Sequence, residues 1–250
     1  MAVRPKADAR PGPAFYALSG GTWRDWWTVA HPPYTAWHLS YVVVGACLAP
    51  TVHWSRLLWT LLAFFLAVGV GAHALDELHG RPLGTSIPGP LLGAAAVIGL
   101  GGAVVIGVVG VTRIGLGLVP FMAVGSLLAV AYNLEIAGRW VHTDAGFAAA
   151  WGAFPVLTAY FAQAGTLGAA AVIGAVAAFA LSVAQRRLSN AARALRRRTV
   201  RVVGQVELAD GRVQTLTRPV LLAPLEAALK AMAVGAVALA LALALARVAA

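Results

Sequence analysis

Residues 91–134 read LLGAAAVIGLGGAVVIGVVGVTRIGLGLVPFMAVGSLLAVAYNL, and Arg113 is the single charge in that stretch. A helix of a water-soluble domain keeps one polar face, which this stretch lacks. Two membrane spans explain it, since each needs about 20 apolar residues. Only Thr112 and Arg113 stand between spans at 91–111 and 114–134, so these two helices are predicted to be antiparallel neighbours in a tight hairpin. Outward from there, apolar runs bounded by Pro, Gly or charge predict helices over 35–50, 57–76, 146–163, 166–185 and 222–247. The runs are continuous and do not alternate, which excludes a membrane β-barrel. Composition agrees: of 250 residues, 60% are hydrophobic and 11% charged, against about 25% charged in soluble domains. The fold class is therefore an all-α integral membrane bundle of about seven transmembrane helices.

Charge gives the organisation and the orientation. Residues 1–30 read as a cytosolic tail and interfacial segment, 31–185 as a six-helix membrane core, 186–218 as a basic cytosolic cap and 219–250 as the last transmembrane helix. The first twenty residues hold no apolar stretch of about 7 to 15, which argues against a cleaved signal peptide. Placing the tail and the even-numbered loops on one side puts Arg4, Lys6, Arg10, Arg24, Arg81, Arg139 and the nine arginines from Arg186 to Arg218 together, with Arg56, Arg113 and Arg247 opposite. The positive-inside rule then predicts a cytosolic amino terminus in a cell membrane. Net charge is +10, but the arginines cluster directly after a span, where they meet anionic lipid headgroups; no nucleic-acid partner is expected. Within the cap, Leu188, Ala191, Ala192 and Leu195 fall at helical spacing among arginines, as in a helix lying on headgroups. Val200 to Thr217 alternates around Asp210-Gly211, a two-residue hairpin signal. Cys47 is the single cysteine, so it forms no disulfide within the chain.

Ionisable residues are expensive inside a membrane, which makes their placement informative. His73, Asp76 and Glu77 are spaced i, i+3 and i+4 at the cytosolic end of the second span, with His79 flanking them. His31 precedes the first span, and Glu135, His142 and Asp144 follow the fourth, at the same depth. Imidazoles and carboxylates from several helices suit a divalent cation, so His31, His73, Asp76, Glu77, His79, Glu135, His142 and Asp144 are candidate metal ligands. Solvated interfacial groups paired with Arg81 and Arg139 are the plainer reading of the same residues.

The order of features resembles the UbiA superfamily of intramembrane prenyltransferases. His31-Pro32-Pro33, followed by Gly45-Ala-Cys-Leu-Ala49, is similar to that family's opening helix. Asp76 followed by Gly80-Arg81-Pro82-Leu83 resembles its first aspartate-rich loop, and Pro155 to Gly165 its fifth helix. Aligning the middle aspartate of that loop on Asp76 puts Ala72 and Gly80 at the other two positions. The second aspartate-rich motif falls where this chain has Gln185-Arg186-Arg187-Leu-Ser-Asn190, making it a divergent member that lacks most of both motifs. The resemblance implies a membrane enzyme acting on an isoprenoid or other lipid substrate at a cytosolic-side polar cavity. Asp76 and Glu77 would be its catalytic carboxylates, a divalent metal such as Mg its cofactor, and Arg186 and Arg187 its phosphate contacts. The residues alone also allow a His/carboxylate metal-dependent membrane oxygenase, desaturase or hydrolase, and a non-catalytic lipid-binding protein.

Overall fold

The computed structural model describes residues 13–18, 20–134 and 143–249. Helix α1 (Thr22–Val29) is short and two-faced: Trp23 and Trp27, one turn apart, are exposed, while Asp25 and Thr28 are buried. That division suits a helix lying at a membrane interface. The long helices follow: α2 (Pro32–Leu48), α3 (Trp54–Leu78), α4 (Gly89–Ile114), α5 (Leu116–Asn133), α6 (Asp144–Ala164), α7 (Ala169–Arg198) and α8 (Arg218–Ala249). Six of these, α3 to α8, are long and apolar enough to cross a membrane. Val97, Ile98, Val105 and Leu127 are exposed on α4 and α5, as expected where hydrocarbon rather than water surrounds the helix. Together these features make the chain a helical integral membrane bundle.

The boundaries differ from the sequence reading mainly at helix ends. Apolar residues carry α4 through Arg113 to Ile114, and the turn into α5 is made at Gly115, whose φ of 114° is open to glycine. Likewise α7 does not stop at residue 185 but continues to Arg198. Leu188, Ala192 and Leu195 therefore pack on Leu222 and Leu229 of α8, not on headgroups. Between α7 and α8 lies an antiparallel hairpin of β1 (Gln205–Glu207) and β2 (Val213–Thr215), with Val206 opposite Gln214. The Leu208 N–H bonds Arg212 O at 2.8 Å, so the loop has three residues and Gly211, at φ 80°, takes the left-handed bulge position.

Helix α2 lies at the centre, packed against α6 and α8, and all three run in the same direction. Close approach to α6 is possible because residue 45 is glycine: a Cβ there would stand 2.3 Å from the Val156 carbonyl oxygen. Gly99 of α4 does the same against Leu66 and Gly71 of α3. Residue 155 shapes α6 in another way. As a proline it has no N–H for the Trp151 carbonyl, and its ring crowds that oxygen. The helix widens into a π turn over Ala149–Ala153, in which the Phe154 N–H reaches back to Ala149 O. The orphaned Trp151 carbonyl then accepts from His38 Nδ1 at 2.8 Å. His38 is thus a helix-packing residue whose proton lies on Nδ1, because a carbonyl can only accept. Two further π turns occur, in α3 over Phe65–Ala72 and at the end of α7 over Ala194–Arg198.

Candidate functional site: a polar chamber beside an apolar one

At the end of the bundle where α3, α5 and α7 finish, the helices enclose a chamber of about 710 Å³. Its largest contribution comes from α7. Gln185, Ser189, Arg193 and Arg197 recur every four residues and so form one row along the helix, with Arg186 beside it. Tyr34 and His38 enter from α2, His73 and Asp76 from α3, and Tyr132 and Asn133 from α5. Tyr16 closes the chamber from the segment before α1.

His31 caps α2 immediately before Pro32 and Pro33. The clash with the proline ring disfavours the right-handed α region for a preceding residue, and His31 takes a left-handed φ of 47°. Its ring stacks on that of His73, with centroids 4.4 Å apart. Burial holds the His31 pKa well below the ordinary histidine range, with His73, Arg197 and Arg193 adding to the effect. Tyr16, its hydroxyl pKa raised mainly by burial, stays protonated, and its hydroxyl is hydrogen-bonded to His31 Nδ1 at 2.6 Å. His31 Nε2 is buried and makes no hydrogen bond among the described residues.

The expected metal ligands are only partly brought together. His31, His73 and Asp76 line the chamber, and His79 lies exposed at its edge. Glu77, expected beside Asp76, is fully buried and faces the loop 79–88: its carboxylate accepts from Leu83 N–H, Thr85 N–H and the Thr85 hydroxyl at 2.8 to 2.9 Å. Asp144 is outside the lining, accepting from Asn190 at 3.2 Å and lying 3.9 and 3.8 Å from the Nε atoms of Arg186 and Arg187. Arg186 does line the chamber, its guanidinium over the Phe147 ring at 4.8 Å. Arg187 does not, and its side chain is 75% exposed. Glu135 and His142 lie outside the described residues. Among the described residues no three His, Cys, Asp or Glu side chains form a group that could hold a metal ion.

The lining donors have a different bias. Five arginines, Arg186, Arg193, Arg196, Arg197 and Arg198, face two carboxylates, Asp76 and Glu226, and Glu226 is already bound by Arg196 Nε at 2.6 Å. Divalent cations such as magnesium want several oxygen ligands, and the described donor set does not fit one. Arginine forks with tyrosine, amide and imidazole N–H donors suit an anion. Arg193, Arg197, Tyr16 and Tyr34 are the lining residues that sequence reasoning missed. The four-residue recurrence of Gln185, Ser189, Arg193 and Arg197 is the signal that marks the first two.

A second chamber, of about 950 Å³, lies deeper among α3, α4, α5 and α6. Its wall is mostly apolar, with Leu100, Phe121, Met122 and Phe154, and it extends to Arg56 and Arg113 at the far end of the bundle. Val68 and Trp151 line both chambers. Each stands in a π turn, of α3 and α6 respectively. Such turns inside helices are frequent at functional sites. Comparisons of the chain with protein-family models, with curated proteins and with solved structures find no match.

Proposed function

We propose that this chain is a UbiA-like integral membrane enzyme acting on an isoprenoid or other lipid substrate. The polar head of the substrate occupies the arginine- and histidine-lined chamber, with Asp76 as its carboxylate, and the apolar tail passes between Val68 and Trp151 into the second chamber. The observation that carries this reading is the shared boundary: one polar and one apolar cavity meet at the same two residues. From Val68 to Arg56 is twelve residues of α3, about 18 Å at 1.5 Å per residue, so the apolar space takes a long chain and not a short acyl stub.

Val68→Trp tests it, because an indole at this position fills the boundary between the two chambers and removes no polar side chain. Wild-type protein purified in mild detergent is expected to retain an amphipathic lipid, detected by mass spectrometry of an organic extract, and the Val68→Trp protein to lose most of it. Equal lipid content in both, with equal thermal stability, removes the reading.

In this proposal α2 is a seventh span. Its 17 residues cover about 26 Å, within the range of transmembrane helices, and its ends lie at opposite faces of the bundle, His31 at the polar chamber and Ala49 beside Arg247. The chamber end then faces the cytosol of a cell membrane, because that end carries the arginine excess. Cys47 is buried, so introduced cysteines can be read against little background. In intact cells, an impermeant maleimide is expected to label Leu116→Cys, exposed at the α4–α5 turn, and to spare Ala209→Cys in the hairpin until the membrane is permeabilised. The reverse pattern inverts the orientation.

A further inference from the structure

We infer that the polar chamber binds a phosphate or diphosphate group directly through the guanidinium groups of Arg186, Arg193 and Arg197, without a bridging divalent cation. The inference rests on the lipid reading only for the occupant of the second chamber; the anion site itself follows from the chamber alone. Arg193 interacts unfavourably with both Arg186 and Arg197 and favourably with Asp76 and Tyr132, so three like charges share one wall with a single carboxylate near Arg193. Arg186 Nε is buried and makes no hydrogen bond among the described residues. Arg197 uses its Nε on the Pro13 carbonyl at 3.2 Å, which fixes the fork at the chamber edge. No salt bridge or hydrogen bond joins Arg193 to another described residue.

Clustered cations at the edge of a membrane interior repel one another and lose hydration, and an anion relieves both. Phosphate is the fitting class. Its tetrahedral oxygens accept paired N–H bonds from several guanidinium forks at once, and neutral donors complete the shell. His31 Nε2, without a hydrogen bond among the described residues and on the same chamber, supplies one in the tautomer that protonates it. Gln185, Ser189 and Tyr34 are others, on the row and the wall facing it, where Tyr34 also hydrogen-bonds Ser189 and Gln185. Where magnesium-dependent sites use carboxylates to hold the ion that holds the phosphate, this chamber puts cationic side chains in the ion's place.

The test is a binding titration on detergent-purified full-length protein with three probes, farnesyl diphosphate, farnesol and inorganic pyrophosphate, each in EDTA and again in magnesium. Farnesyl diphosphate is expected to bind in EDTA with an affinity that magnesium changes less than about twofold. Arg193→Gln and Arg186→Gln each weaken it by about ten- to a hundredfold, the range for a lost charged hydrogen bond, while Arg193→Lys loses less. Without ligand, Arg193→Gln is expected to melt at or above the wild-type temperature, since it removes repulsion; a merely structural arginine would lower it. Binding that requires magnesium and ignores both arginine substitutions overturns the inference. Farnesol binding as tightly as its diphosphate also overturns it and leaves the lipid reading standing. Pyrophosphate binding that depends on the arginines, with no added affinity from the farnesyl chain, supports the anion site and removes the lipid tail.

Discussion

Glu77→Ala is expected to destabilise the protein by about 3 to 5 kcal/mol, more than any change of a chamber residue. Glu77 is fully buried, and its two oxygens take the Leu83 N–H, the Thr85 N–H and the Thr85 hydroxyl. Alanine leaves three donors unsatisfied, and each buried orphan costs about 1 to 3 kcal/mol before relaxation. The loop has little else to fall back on. Asp25 of α1 holds its far side by accepting from the Ser86 N–H at 2.9 Å and from the Ser86 hydroxyl, and Arg81 spans it to Ile87 O at 2.6 Å. Glu77→Gln should fall between, because an amide supplies one acceptor and turns an N–H toward a donor. Thermal unfolding in detergent and protease cutting between residues 79 and 88 measure both effects. If Glu77→Ala melts like wild type while lipid or diphosphate binding disappears, the carboxylate acts in the chamber and the clasp is wrong.

That contrast explains how much could be read from the chain. The bundle was legible because hydrophobic runs of this length have few other solutions, and the hairpin at 91–134 because a single charge interrupts it. The hairpin loop of the cap was legible in kind but not in length, since Asp-Gly serves two loop geometries. Asp76 and Glu77 looked alike as neighbours at a helix end, and spacing could not tell which one a later loop would claim; Thr85 and Ser86 decide that through tertiary contacts. Arg193 and Arg197 were legible only as basic charge. Their direction depends on α7 running past residue 185, which follows from Leu188, Ala192 and Leu195 packing on α8. The role of His38 required knowing that α2 meets α6 at Trp151, where Pro155 has removed the carbonyl's own partner. Proline's missing N–H is visible in a sequence, but the side chain that repairs it is not.

The second large effect is expected at Gly45. A β-carbon there meets the backbone of Val156, 2.3 Å from its oxygen and 2.8 Å from its Cα. Backbone cannot rotate away as a side-chain tip can, so even Gly45→Ala must part α2 from α6. Overpacking costs about 1 to 3 kcal/mol when side chains can adjust, occasionally more; with backbone on both sides Gly45→Ala belongs at the upper end and Gly45→Val beyond it. Gly101, in α4, supplies the control. Nothing lies within 4 Å of a Cβ added there, and alanine is the better helix former by about 1 kcal/mol, so Gly101→Ala should melt at or above the wild-type temperature. Equal melting of the Gly45 and Gly101 variants would falsify the close α2–α6 contact. The consequence reaches the chambers, because the same contact holds His38 against the Trp151 carbonyl two turns away. Parting the helices releases that carbonyl and moves Trp151, one of the two residues lining both cavities. Gly45→Ala should therefore lower lipid retention along with stability, whereas a change on the lipid-facing side of α4 should touch neither.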